Sequence, residues 1–215
     1  MKMNNPNISD KIVYGQHFKW KEGQFFIWNV PGINLPLYTY IEMIYSIRPK
    51  CKTIDRIIYS VAEKQAVIAV DYMRQKFGFK KEKDIIDSVL GQIAFLGLGQ
   101  LKLVQLQLDV GRGLFKNEKN PFAIYHKQMY GSSPFPVDAY LAGVIAGTIE
   151  GVTGKTLVCL ETKCIAKGDS ACIFELMPAN QVKGKLAKYN FSSLLGPDKI
   201  RDISHKEKAS IATLK

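Results

Sequence analysis

The 215-residue sequence predicts an α+β domain in which an antiparallel sheet is covered by helices on one side. Three observations lead there. In LKLVQLQLDV (101–110), Val104, Leu106, Leu108 and Val110 share one face, the period of a strand. KTLVCLETKC (155–164) and ACIFELM (171–177) flank a Lys-Gly-Asp turn, as hairpin strands do. Residues 37–47 and 61–78 instead space their apolar side chains for one face of a helix.

Taken in chain order, residues 1–11 are polar and read as a loose N-terminus, and residues 12–178 read as a single domain. QFFIWNV (24–30) is an aromatic strand stopped by Pro31-Gly32. LYTYIEMIYSI (37–47) is helical and ends before Pro49. IDRIIYS (54–60) suits a strand, and residues 61–78 a helix with basic residues near its end and Gly78 as its stop. Residues 82–99 form another amphipathic helix, before the strand 101–110. Turns follow at 111–113 and 117–121, residues 122–130 show no decisive period, and 131–136 is a break. The helix 137–154 carries Gly143, Gly147 and Gly151 at four-residue spacing. Each glycine costs a helix ~1 kcal/mol relative to alanine, so the stripe implies close backbone approach by a packing partner. The hairpin ends at Pro178, and residues 179–215 form an extension with eight Lys/Arg against three Asp/Glu.

Composition narrows the function. Apolar residues make up 47% of the chain, enough for a substantial core. The net charge of +11 would suit nucleic acid or an anionic membrane, with the basic tail as the contact; a solvated extension is the simpler reading of that tail. The start lacks the apolar stretch of a secretory signal, and AYLAGVIAGTI is too short to span a bilayer, so a cytoplasmic location is expected. In that reducing setting the four cysteines read as thiols or metal ligands. No G-x-G-x-x-G follows a strand, no phosphate-binding loop is present, and no Ser/His/Asp set is readable, so no catalytic residue is assigned. The early aromatics Phe25, Phe26, Trp28, Tyr38, Tyr40 and Tyr45 read mostly as core, and His17, His126 and His205 lack ligand spacing.

The hairpin holds the chemistry. Centred on Gly168, it places Cys164 and Cys172 opposite one another, with Cβ atoms ~5 Å apart. That spacing suits two thiolates on one metal, nearly suits a disulfide, and equally suits two buried apolar thiols. Glu161 lies three residues before Cys164, which in a regular strand means opposite faces. A bulge near Thr162-Lys163 is needed if both are to meet one ion. Cys159 reads as a buried apolar thiol, and Cys51 carries no motif.

YLAGVIAGTIEGVTGKTLVCLETKCIAKGDSACIFEL (140–176) resembles the 4-vinyl reductase domain family. The shared features are a glycine-bearing helix, a strand ending in Glu-x-x-Cys, a Gly-Asp turn and a second Cys before Phe. The same pattern occurs in the sensor domains of aromatic-responsive transcription activators. In that branch the resemblance implies zinc held by a Cys, a Glu and two further Cys. The last three map onto Glu161, Cys164 and Cys172. The first falls on Asp138, which departs from the pattern; Asp138 is either an oxygen ligand or the N-cap of the following helix.

The resemblance also implies an apolar pocket near the metal for a small molecule, be it aromatic, tetrapyrrole or acyl chain. The related fold of the subunits of the vesicle-tethering transport protein particle holds an acyl chain and pairs. The expectation is therefore a non-catalytic, sensor-like binding domain with a structural zinc. It would form a homodimer and, having no fused output module, act through a separate signalling partner. Tetrapyrrole vinyl reduction, as enzyme or accessory factor, and a dimeric scaffold with a basic tail are the alternatives.

Overall fold

The computed structural model describes residues 18–27, 30–33 and 35–182. The expectations for residues 1–11 and for most of the 179–215 extension fall outside them. The α+β class holds. The described residues form seven strands and five α-helices in two antiparallel sheets. The first sheet is a meander of β1 (Phe18–Lys21), β2 (Gln24–Ile27) and β3 (Val30–Gly32). The expected single strand 24–30 is thus two strands, and Pro31-Gly32 lies inside β3 instead of ending it. Proline is compatible with that place because β3 is an edge strand.

Helix α1 (Leu37–Ile47) runs as expected. Helix α2 covers Ile54–Phe77, so the strand expected at 54–60 is in fact its first two turns. The β-branched residues there suggested a strand, but Tyr59, Ala62, Ala66, Val70 and Met73 are buried at helical spacing, and packing of that face overrides local preference. Gly78 closes α2 in the left-handed conformation at φ 68°. Helix α3 spans Glu82–Phe95.

The second sheet has the order β4-β5-β7-β6, from Leu101–Gln107, Arg112–Asn117, Cys172–Pro178 and Leu157–Lys163. A bulge between Leu103 and Gln105 breaks the alternation expected along β4. Leu101, Leu103 and Leu106 consequently pack on the core, while Val104 is 56% exposed. The turn placed at 111–113 sits earlier, because Arg112 already pairs with Gln107. The undecided residues become helix α4 (Pro121–Tyr130), started by the Asn120 side chain accepting from the Ala123 N–H and by Pro121 at the first helical position.

Helix α5 (Ala139–Thr153) lies between α2 and the sheet, and most of its residues are buried. The glycine stripe faces α2. A Cβ on Gly143 would stand 2.4 Å from the Tyr59 carbonyl oxygen, and one on Gly147 2.0 Å from that of Glu63. Arg74 of α2 donates to the carbonyls of Gly151 and Val152 at 2.8 and 3.0 Å, capping α5. The Tyr59 hydroxyl accepts from the Cys159 N–H at 3.1 Å, tying α2 to the edge strand β6. No helix among the described residues is long and apolar enough to cross a membrane.

The close approach has a direct test. Gly147→Ala should destabilise the fold by about 3 kcal/mol or more in chemical denaturation, because backbone must move to admit the methyl. Gly154→Ala, where the added Cβ meets nothing within 4 Å but φ is 69°, should lose only about 1 to 2 kcal/mol. Equal losses would mean that the helices separate readily.

Candidate metal centre and adjoining pocket

Across the second sheet, directly paired residues share a face, and Leu103, Phe115, Phe174 and Glu161 form one such row on the core side. Glu161 therefore ends an apolar row and is 2% exposed. The register then shifts between Glu161 and Lys163, the bulge that the three-residue spacing to Cys164 demanded. Cys164 leaves the strand and leads into a 3-10 turn, Ile165–Lys167.

The Gly168-Asp169 pair makes this turn. Gly168 sits at φ 104°, a conformation suited to glycine. The Asp169 carboxylate accepts from the Cys164 N–H at 2.8 Å, and the Asp169 N–H donates back to the Cys164 carbonyl at 3.2 Å. Cys172 then opens β7, and its sulfur accepts from the Ile165 N–H at 3.5 Å. Both cysteines are fully buried.

These residues gather Glu161, Cys164 and Cys172 so that their donor atoms all lie within 4.8 Å of one another, a group able to hold a metal ion. The Glu161 carboxylate is divided. Its Oε2 accepts from the N–H groups of Val137 and Asp138 at 3.1 and 2.9 Å. Its Oε1 is buried and has no hydrogen-bond partner. An orphaned carboxylate oxygen is unfavourable in a dry interior unless a proton or a cation meets it.

Charge makes the same point. Burial, then the neighbouring Cys164 and Asp138, push the Glu161 carboxyl well above its usual range. Burial likewise raises Asp138 to about 6, against the N–H of Leu141 and the amide of Asn120. The hydrogen bond from Cys172 draws the Cys164 thiol down to about 6, and the same contact pushes Cys172 up. Among the described residues no lysine or arginine forms an ion pair with Glu161 or Asp138. The donor set of two sulfurs and one oxygen suits a borderline-soft divalent ion.

Asp138 is placed differently. Its Oδ1 accepts from the Leu141 N–H at 2.9 Å and caps α5, while its Oδ2 accepts from Asn120 at 2.7 Å. Both oxygens are thus engaged, and Asp138 is not in the three-residue group. Cys159 is fully buried, and Cys51 lies apart from the group.

On the far side of the Val137-Asp138 segment lies a cavity with about 20 Å³ of free space, room for one water. Tyr40, Ile41, Tyr45 and Arg48 of α1 line it, with Asp55 and Ile58 of α2, Phe122 and His126 of α4, and Val137 to Tyr140. Tyr40 meets Phe122 and Tyr140 edge-on at 5.5 and 6.3 Å. Tyr45 stacks on Tyr130 at 4.3 Å and shares a hydrogen bond with His126, and the Arg48 guanidinium lies 4.5 Å above the Tyr45 ring. Arg48 in turn donates to Asp55 at 2.7 Å. Burial, with Arg48 adding to it, lowers His126 below its ordinary range and keeps the imidazole neutral at pH 7. No sequence motif marked these residues, which come from four helices. The one available signal was Asn120-Pro121, a helix start that would have put His126 one turn in, on the same face as Phe122.

The family model of the vinyl-4-reductase domain matches residues 126–178. An uncharacterized protein of Methanocaldococcus jannaschii, MJ1460, is 28% identical over 80 residues, covering 36% of this chain and 48% of that protein. The chain thus spans about half the length of this curated relative. The phenol-responsive sensory domain of the transcription activator PoxR, solved with phenol, superposes with a TM-score of 0.72 at 16% identity, over 84% of this chain and 96% of that one. That likeness shows the fold. A vinyl-4-reductase family protein from Methanocaldococcus jannaschii (TM-score 0.49, 18% identity, 67% and 82% covered) is a more distant neighbour. So is a trafficking protein particle complex subunit 3 from Naegleria fowleri (0.42, 16%, 65% and 90%). The resemblance read from residues 140–176 therefore stands, carried by a domain match that holds α5, the hairpin and all three donor residues.

Proposed function

We propose that this chain is a non-catalytic, sensor-like domain that binds a small aromatic molecule beside a structural zinc ion. The observation that carries the reading is the buried Glu161 oxygen left unpartnered beside two thiols. Glu161, Cys164 and Cys172 are the zinc ligands. Asp138, the fourth ligand that the resemblance implies, serves as helix cap, because both of its oxygens already accept hydrogen bonds. The fourth position on the ion then belongs to water. When bound, zinc supplies positive charge to a site otherwise crowded with acids, and its binding energy becomes folding energy.

The cavity favours the smallest of the ligand classes that the resemblance implies. With about 20 Å³ free, a single ring enters only if one wall side chain gives way, and a tetrapyrrole or acyl chain would need far more. Aromatic walls and a few convergent polar groups, Tyr45, His126 and Arg48, are what a hydroxylated ring requires. The fold shared with a phenol-responsive sensory domain supports the class. Tyr45 stands at the rim and is the side chain to yield.

A homodimer belongs to the same reading. The glycine stripe is taken up by α2, so the interface lies elsewhere. The outer face of α2 exposes Ile57, Val61 and Ile68 by 46, 48 and 67%, a stripe four and then seven residues apart.

Protein purified without added metal should carry about one equivalent of zinc by plasma emission spectroscopy, and Cys164→Ser should lose metal and stability together. Less than a tenth of an equivalent, with no other transition metal present, would sink the zinc reading. Phenol should bind in calorimetry, and Tyr45→Ala should bind it about tenfold more tightly because the vacated ring leaves an apolar space. Unchanged affinity would put the ligand elsewhere. Light scattering should give twice the chain mass at tens of micromolar, falling to a single chain for Val61→Lys; a wild-type monomer would rule out the stable dimer.

A further inference from the structure

Two helices that wall the cavity, α4 and α5, begin at side chains that touch each other. The Asn120 Oδ1 accepts from the Ala123 N–H at 3.1 Å and starts α4. Its Nδ2 donates to Asp138 Oδ2 at 2.7 Å. Asp138 Oδ1 starts α5 by accepting from Leu141, and the Asp138 N–H donates to Glu161 Oε2. Asn120, Asp138 and Glu161 are 0, 2 and 2% exposed, so each of these bonds is dry. The remaining oxygen of Glu161 is the unpartnered one that looks toward the thiols.

We propose that the buried pair Asn120–Asp138 is a positioning device that couples metal occupancy at Glu161 to the packing of the pocket helices, so that metal and pocket ligand strengthen each other's binding. The inference rests on the zinc reading above. Its physical basis is the divided carboxylate. A cation on Oε1 holds Glu161 ionised, and only the ionised group keeps Oε2 as a strong acceptor for Val137 and Asp138. Asp138 is thereby held where it can accept from Leu141 and Asn120 together. Asn120 is then held where it caps the helix that carries Phe122 and His126 into the cavity. Without the ion, Glu161 takes a proton, and the first link of this chain of bonds weakens. Coupling by such bonds is reciprocal: whatever the metal does for the pocket, the pocket ligand does for the metal.

The far end of α4 reaches the hairpin separately, through the Ser133 N–H and the Ala166 carbonyl at 2.9 Å. The informative amides are therefore those at its start, Ala123 and Ile124, the latter donating to the Asn120 carbonyl at 3.0 Å. Hydrogen–deuterium exchange of the full chain, with zinc and after stripping by chelator, reads them directly. In the wild type, zinc should slow exchange at Ala123, Ile124 and Leu141 by about tenfold, a typical coupling, as well as protecting residues 161–172. Asn120→Asp keeps a capping oxygen for α4 but sets two carboxylates against each other. It should bind zinc, protect the hairpin, and lose the zinc-dependent protection at Ala123 and Ile124. The double exchange Asn120→Asp with Asp138→Asn restores one donor and one acceptor with both caps, and should recover that protection. Zinc-dependent protection at Ala123 equal in the wild type and in Asn120→Asp would overturn the coupling, as would zinc that binds the wild type yet protects only the hairpin. A chain that binds no zinc at all fails at the metal reading itself, which the zinc content of the same samples reports.

Discussion

A single buried carboxylate organises this domain. Glu161 ends an apolar row of the sheet, where an ionisable group is unfavourable unless both of its oxygens are engaged. One oxygen is engaged by two backbone N–H groups that open the segment leading into α5. The other faces two thiols with no hydrogen-bond donor of its own. The bulge after Glu161, the left-handed Gly168 and the Asp169 brace on Cys164 all serve to bring those thiols around. The fold accordingly places a strongly acidic, dry locus against the apolar core without a lysine or arginine ion pair, and a bound cation resolves that conflict with the fewest changes.

The same constraint explains why the helices stand where they do. The carboxylate meets α5 at its start, the glycine stripe sets α5 against α2, and α2 reaches back to the edge strand through Tyr59. The pocket occupies the space left among α1, α2, α4 and the start of α5. Metal locus and pocket are the two sides of one short segment, Val137-Asp138. The sensor-like role proposed here is built on that adjacency, and a ligand-responsive domain needs some such path from its pocket to a structural element with two states.

The sequence disclosed the parts of this arrangement that rest on local rules. Gly168 marked the hairpin centre, the three-residue interval from Glu161 to Cys164 demanded a bulge, and the glycines announced a close helix contact. It concealed what depends on tertiary packing. Ile54, Ile57 and Ile58 looked like a strand because β-branched residues favour one, until the buried face of α2 extended through them. The alternation along β4 misled because a bulge lets Leu103 and Leu106, three apart, face the same way. The pocket residues Tyr45, Arg48 and His126 have no spacing in common, since they meet only when α1 lies across α4. Asp138 was ambiguous for another reason: capping and coordination ask for the same carboxylate, and only the positions of Asn120 and Leu141 separate them.

The most direct measurement of the central claim is X-ray absorption at the zinc edge of the protein as purified. The account predicts a four-coordinate ion with two sulfur neighbours at about 2.3 Å and two lighter atoms at about 2.0 Å, from Cys164, Cys172, Glu161 and water. A shell of only light atoms, or one of four sulfurs, would contradict the assignment of the ion to this hairpin.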